Sequence, residues 1–145
     1  MWAVLFGVVI SAGVAIVVAR AALVVVTVRG GSMEPTLRDG DRVIVARWRR
    51  RRIQRDAVVV CRAPDGLVLP GMPPTTAANP ALLVKRVSAV AGDLQPDGRI
   101  VPAGHIYLLG DAGADLDSRE FGPVPIVSVV GSMVGKAPGL PSSSR

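Results

Sequence analysis

The chain has 145 residues, of which half are hydrophobic, and it carries a formal net charge of +6. This length leaves room for one folded domain and a short appendage. The chain has a single cysteine, Cys61, which excludes an intrachain disulfide. It also has only one histidine, so no ordinary zinc site can be assembled. We therefore expect no metal or cofactor. Aromatic residues make up 3% of the chain, which argues against the stacking platforms that bind single-stranded nucleic acid.

The N-terminal segment, residues 1–28, is predicted to be a transmembrane anchor. Residues 2–19 are uncharged and mostly apolar, and as a helix they would extend about 27 Å, close to the ~30 Å hydrocarbon core of a bilayer. The stretch is longer than the ~7–15-residue core of a cleavable secretory signal, and no basic residue precedes it. We therefore favour a retained span over a removed leader, with Trp2 at one interface and Arg20 near the other.

A glycine pair precedes a serine in residues 30–37, Gly-Gly-Ser-Met-Glu-Pro-Thr-Leu. The two glycines allow the backbone to approach a ligand closely, so Ser32 can be presented at the edge of a cleft with its N–H exposed. The alternative is the N-terminus of a helix, with Ser32 as its cap and Pro35 in the first turn. These residues alone leave both interpretations open.

Six arginines and Trp48 lie within residues 47–55. Beside a membrane span, such a run favours contact with anionic lipid headgroups, with the tryptophan dipping into the interface. Basic runs also bind nucleic acid, but the neighbouring apolar segment favours lipid. A charged loop that is merely solvated is an equal alternative.

The remainder, residues 29–137, is predicted to form a mainly β domain. Short β-rich runs bounded by glycine and polar residues predict strands at residues 41–45, 57–60, 82–90, 106–109 and 126–130. Residues 63–80 hold five prolines and two glycines and are predicted to be a flexible loop. Residues 95–99 are typical of a hairpin turn, and residues 138–145 of a disordered tail. No helical periodicity is sustained beyond residue 28, so we expect a compact barrel-like or sandwiched sheet.

A serine nucleophile needs a base. His105 could supply one in a Ser-His-Asp triad, but nothing in the sequence places it beside Ser32. Only two of the 17 basic residues are lysines, and Lys85 lies in the apolar run of residues 82–87. A guanidinium stays protonated, whereas burial among apolar side chains favours a neutral amine that can accept a proton. The alternative is a Lys85 that reaches solvent from an edge strand; Lys136 is predicted to be a surface charge.

The third polar group consists of Gly110-Asp111 and Asp117-Ser118-Arg119. Asp117 and Arg119 cannot face each other within a strand, because neighbouring side chains alternate there, so a loop or network role is more natural. Two carboxylates could also indicate a glycosidase. The absence of nearby sugar-stacking aromatic residues argues against it.

These three segments together resemble, in order and spacing, the conserved boxes of type I signal peptidases. Ser-Met-Glu-Pro-Thr-Leu at residues 32–37 resembles the nucleophile box, and Val-Lys-Arg-Val at 84–87, followed by Ala-Gly-Asp at 91–93, resembles the box of the lysine base. Residues 110–111, 117–119 and 121–124 resemble the last box, and Gly131 with residues 135–136 resembles the closing strand.

The resemblance implies a signal-peptidase-like β catalytic domain behind one N-terminal transmembrane helix, lying on the extracytoplasmic face of the plasma membrane. Its substrates would be exported precursors with signal or leader peptides, cleaved after a small residue. Ser32 would be the nucleophile and Lys85 the general base, with Ser32 and Gly30 at the oxyanion hole. The apolar substrate pocket would be formed by Val28, Met33, Leu37 and Val84. The residues expected to brace the site are Gly110, Asp111, Asp117, Ser118 and Arg119.

Three features depart from the family pattern. Gly30 stands where many members carry a serine that completes the oxyanion hole. Residues 112–116 are one residue short, with Asp115 in place of a serine. Basic residues follow the predicted span, which by the positive-inside trend would place the domain in the cytoplasm. A dedicated maturation protease for one precursor, or a non-catalytic anchored module that binds lipid or a partner, therefore stay open as alternatives.

Overall fold

The computed structural model describes residues 2–48, 52–69, 76, 78, 80–113 and 116–138. Two helices and seven strands follow one another along these residues: α1 (Trp2–Ala22), β1 (Leu23–Thr27), β2 (Arg42–Ala46), β3 (Val58–Arg62), β4 (Leu82–Val90), β5 (His105–Leu109), α2 (Ser118–Phe121), β6 (Val124–Pro125) and β7 (Val129–Lys136). The mainly β prediction is confirmed.

Helix α1 occupies most of the predicted anchor. Its described side chains from Trp2 to Arg20 are exposed, and it ends at Ala22, so residues 23–27 form strand β1 instead of continuing the helix. Among the described residues, no helix has both the length and the apolar character needed to cross a membrane. The predicted transmembrane helix is therefore not supported by this structure.

All seven strands form one antiparallel sheet in the order β1-β2-β7-β3-β4-β5-β6. Three strands separate β1 from β4, so in a flat sheet these two would lie roughly 19 Å apart at ~4.8 Å per strand. Yet Val26 of β1 and Val84 of β4 pack against the same apolar cluster. The sheet must therefore curl, and the curl brings β1 towards β4.

Two apolar clusters fill the two faces of β3 and β4. The main cluster has the buried residues Val59, Cys61, Ala63, Leu83, Val87, Ile106, Leu108, Val124 and Val129. The loop-side cluster has the buried residues Val28, Met33, Leu37, Val43, Val45, Val58 and Val60. Successive residues of β3 alternate between the clusters, as expected for a strand that is buried on both sides.

The predicted strands are found within one or two residues of their positions, with one exception. Residues 126–128 form a 3₁₀ turn, and the last strand begins only at Val129, so the strand predicted at 126–130 is wrong over its first half. The hairpin turn at residues 95–99 is confirmed by the bonds that join Gln95 with Gly98 and Arg99. Residues 70–75, 77 and 79 of the predicted loop, and 139–145 of the predicted tail, lie outside the described residues.

Candidate functional site

A cleft of about 640 Å³ opens between the end of β1 and the first half of β4. Residues 26–32 and residues 82–85 line it, together with Leu69 and Leu116. Both Ser32 and Lys85 are among the lining residues, although 53 positions separate them in the sequence. The curl of the sheet thus brings the predicted nucleophile and the predicted base to one cavity.

The loop that carries Ser32 connects β1 to β2 and is stabilised by two backbone hydrogen bonds and by two buried side chains. Glu34 N–H donates to the Gly31 carbonyl (3.0 Å) and Leu37 N–H to the Met33 carbonyl (2.8 Å). Met33 and Leu37 are fully buried and anchor the loop in the loop-side cluster. Ser32 lies in these turns and not at the start of a helix, so the alternative of a helix cap is wrong.

The backbone N–H groups of Gly30 and Ser32 differ in whether they already donate a hydrogen bond within the protein. Gly30 adopts a φ of +79°, a left-handed conformation that favours glycine, and its N–H donates to the Asp39 carboxylate at 2.7 Å. The Ser32 N–H has no acceptor among the described residues. Of the two predicted oxyanion donors, Ser32 is therefore available, whereas the Gly30 N–H is already engaged.

Lys85 lies in an interior strand and is only 2% exposed. It pairs with Val59 of β3, and Leu83 and Val87, on the same face of β4, belong to the main cluster. The alternative of a lysine that reaches solvent from an edge strand is therefore wrong. Lys85 borders the cleft from an apolar setting.

Cys61 of the neighbouring strand lies within electrostatic range of Lys85. Burial raises the pKa of the Cys61 thiol to about 12, against a smaller opposing effect of the Lys85 charge. The thiol therefore stays protonated at neutral pH and serves as an apolar packing group in the main cluster.

Arg86 connects β4, which carries Lys85, to the other two segments that resemble the family pattern. Its Nε and Nη2 donate to the two Asp111 carboxylate oxygens at 2.8 and 2.7 Å, Nη1 donates to the Asp56 carbonyl at 2.8 Å, and Nη2 also reaches Thr36 Oγ1 at 3.3 Å. The hydrogen bonds from Arg86 lower the pKa of Asp111 against the opposing effect of burial. Ala112, directly after Asp111, donates its N–H to the Ser32 carbonyl at 3.1 Å, so this segment contacts the predicted nucleophile.

Asp117 and Arg119 face each other at the start of α2, as the predicted network role requires. Arg119 Nε and Nη2 donate to the fully buried Asp117 carboxylate at 2.9 and 2.6 Å, and Gly110 N–H donates to it at 3.1 Å. Burial alone raises the pKa of Asp117, but these hydrogen bonds outweigh it and lower the pKa. Ser118 Oγ accepts the Leu108 N–H at 2.9 Å. These contacts fix α2 and the Gly110 turn to β5.

The residues predicted to form the substrate pocket fall into two groups. Val28 and Val84 line the cleft, whereas Met33 and Leu37 are buried behind it and do not line it. The sequence analysis missed Leu69, Leu82 and Leu116. Leu116 directly precedes the Asp-Ser-Arg triplet. This position next to a predicted site segment was the one feature of the sequence that could have indicated a lining residue.

Neither remaining candidate lies at the cleft. The Nδ1 atom of His105 lies 2.9 Å from the Ala103 carbonyl, and His105 is not among the described residues that line the cleft with Ser32. Lys136 donates to the Asp41 carboxylate at 2.8 Å on the surface, which confirms the prediction of a surface charge.

Comparison with known proteins agrees with this arrangement. The family model described as signal peptidase, peptidase S26, matches residues 1–95, which include both Ser32 and Lys85. No curated protein matches the chain. Since the matched region is well over half of the sequence, the chain belongs to the signal peptidase S26 family.

Proposed function

We propose that this protein is a membrane-bound serine endopeptidase that removes signal or leader peptides from exported precursors. The observation that carries the proposal is the meeting of Ser32 and the buried Lys85 at one cleft. A hydroxyl and an amine can form a nucleophile and base pair without any metal. Family membership supports precursor proteins as the substrates.

In the proposed reaction, Ser32 Oγ attacks the scissile carbonyl carbon while Lys85 Nζ accepts the hydroxyl proton. The tetrahedral intermediate then collapses, the C–N bond breaks, and Lys85 passes the proton to the leaving amine. Water hydrolyses the acyl-serine in the second half, with Lys85 again accepting a proton and returning it to Ser32 Oγ. The Ser32 N–H donates to the oxyanion. Gly30 could add a second donor only if its N–H left Asp39.

The apolar walls of the cleft support a preference for small apolar side chains next to the scissile bond. Val28 and Val84 would contact the substrate directly. The fully buried Met33 and Leu37 would set the depth of the pocket from behind. Arg86, Asp111, Asp117 and Arg119 would act as positioning residues, because they fix the segments on which Ser32 and Lys85 lie.

Membrane attachment through α1 is part of the proposal. The helix displays large apolar side chains such as Phe6, Ile10 and Val17 to its surroundings, and lipid would cover them. A single-pass topology with an extracytoplasmic domain remains a prediction that no helix among the described residues supports. Alkaline carbonate extraction and protease protection of membrane vesicles would test attachment and sidedness.

The test of the enzymatic proposal is cleavage of a precursor by the full chain in detergent micelles, with the cleavage site read by mass spectrometry. Ser32→Ala and Lys85→Arg should both abolish cleavage, the second because a guanidinium cannot accept the proton. His105→Ala, a matched control outside the cleft, should retain it. Equal cleavage by wild type and both site variants would leave the alternative of a non-catalytic anchored module, and cleavage of one precursor among many would favour a dedicated maturation protease.

A further inference from the structure

We propose that three residues that follow β2, Arg47, Trp48 and Arg52, dock the domain onto anionic lipid headgroups. We call these three residues the basic turn. This docking rests on the proposed membrane attachment by α1, because it is this helix that would bring the basic turn to a bilayer. The function assigned to the turn is separate from peptide cleavage.

The position of Arg47 and Trp48 follows from the register of the first two strands. Leu23, the first residue after α1, is paired with Ala46, the last residue of β2. Such pairs lie about 4.5–5.5 Å apart. Arg47 and Trp48 come next in the chain, so they lie beside the point where the helix enters the sheet. Arg20, exposed in the last turn of α1, approaches the same point from the helix side.

The charge of the basic turn is not neutralised by the protein. Arg47 and Arg52 are exposed and form no ion pair within the described part of the chain. The sequence from residue 42 to residue 55 contains no aspartate or glutamate, and residues 49–51 of the same run, also arginines, lie outside the described residues. By contrast, Arg55 at the end of the run is paired with Asp93 at 2.7 Å. Arg47 and Arg52 are therefore available to bind an external anion.

Apolar side chains beside these charges favour a lipid surface, and not a nucleic acid, as the binding partner. Trp48 is 59% exposed, and Leu23 and Val25 on the outer face of β1 are 37% and 48% exposed. They extend the apolar surface of α1 into the sheet, next to Arg47. An indole beside cationic groups matches the boundary between headgroups and acyl chains, whereas a nucleic acid would offer no apolar layer to Leu23 and Val25.

The test uses the full chain reconstituted into vesicles of phosphatidylcholine alone or with 30 mol% phosphatidylglycerol. A Trp2→Phe substitution leaves Trp48 as the single tryptophan, so its emission and its quenching by brominated lipid report on the turn. We expect a blue shift and quenching with phosphatidylglycerol that weaken at high salt. At ~1 kcal/mol per arginine near the surface, Arg47→Gln with Arg52→Gln should shift the ratio of docked to undocked protein roughly 30-fold towards undocked. Arg99→Gln, which removes an exposed arginine from the hairpin between β4 and β5, is the matched control and should change nothing.

Two results would overturn the docking proposal. One is a Trp48 signal that is the same in both kinds of vesicle, or the same in the double variant and in wild type. The other is a response of Trp48 to a DNA or RNA duplex but not to phosphatidylglycerol. Failure of membrane attachment is separate, since it would appear as release of the protein by alkaline carbonate, and failure of the peptidase proposal would appear as uncleaved precursor.

Discussion

Replacement of Arg86 by lysine should damage both stability and turnover, because Arg86 joins three segments of the site. The guanidinium makes two bonds to Asp111 and one each to the Asp56 carbonyl and Thr36. A lysine keeps the charge but cannot reproduce the planar two-bond contact or reach all three partners at once. The substitution therefore removes most of these contacts without removing the charge itself.

The expected loss of stability follows from the partial burial of the Arg86–Asp111 ion pair. The side chains of Arg86 and Asp111 are 29% and 15% exposed. Breaking a fully buried pair costs about 3–5 kcal/mol, whereas exposed pairs contribute about 0–1 kcal/mol. After allowance for solvent screening we expect a loss of about 2 kcal/mol in the free energy of unfolding. A shift of even ~1 Å in the neighbouring Lys85 can cost ~10²-fold in rate, so kcat should fall more than KM rises.

The assay combines urea unfolding with steady-state cleavage of a leader peptide, for Arg86→Lys, Asp111→Asn and the double variant. A double-mutant cycle should show that the two substitutions are strongly non-additive. Arg55→Lys is the control, since its pair with Asp93 is more exposed than the Arg86–Asp111 pair and neither residue lines the cleft. Wild-type kcat in Arg86→Lys, or additive effects in the cycle, would refute the assigned positioning role.

Three further predictions concern the fold. Gly131→Ala should destabilise by about 1–3 kcal/mol in urea, because a Cβ there would lie 2.6 Å from the Ala46 carbonyl oxygen, whereas Gly135→Ala on the same strand meets open space and should be neutral; equal effects would contradict this. Hydrogen bonds from Arg55 and from the Val90 N–H lower the pKa of Asp93 to about 2, so its contribution to stability is complete above pH ~4 and is lost as the pH falls towards 2. Asp93→Asn should therefore flatten the urea-midpoint curve in that window, and an unchanged slope would count against it. The buried Cys61, with its pKa of about 12, should react with iodoacetamide only in denaturant; rapid labelling of the native protein would disprove its burial.

The sequence predicts local features of this protein well, because they depend on neighbouring residues. Strand β4 has the predicted bounds, since a β-rich run with apolar residues on both sides of Lys85 and Arg86, ended by Gly92 and Asp93, leaves little freedom. Strand β1 could not be separated from the helix before it, because Leu-Val-Val-Val-Thr continues the same apolar composition. Only its β-branched residues indicate a strand.

Long-range placement could not be read from the sequence with the same certainty. That Ser32 and Lys85 share a cleft depends on how far the sheet curls, which reflects the packing of Val26 and Val84 across three intervening strands. The sequence also could not show that Met33 points into the core while Val28 borders the cleft. Both are apolar residues between polar neighbours, so only the turn geometry decides which of them borders the cleft.

The most direct test of the proposed chemistry is rescue of a Lys85→Ala variant by a small amine. Truncation should reduce peptide cleavage by roughly 10²–10⁴-fold, the usual contribution of a general base. Methylamine should then enter the space beside Ser32 and restore part of the turnover, more so at higher pH, where more of the amine is neutral. Ser32→Ala should lose activity and gain nothing from methylamine. Full activity of Lys85→Ala without any amine, or equal rescue of both variants, would contradict the assignment of Lys85 as the base.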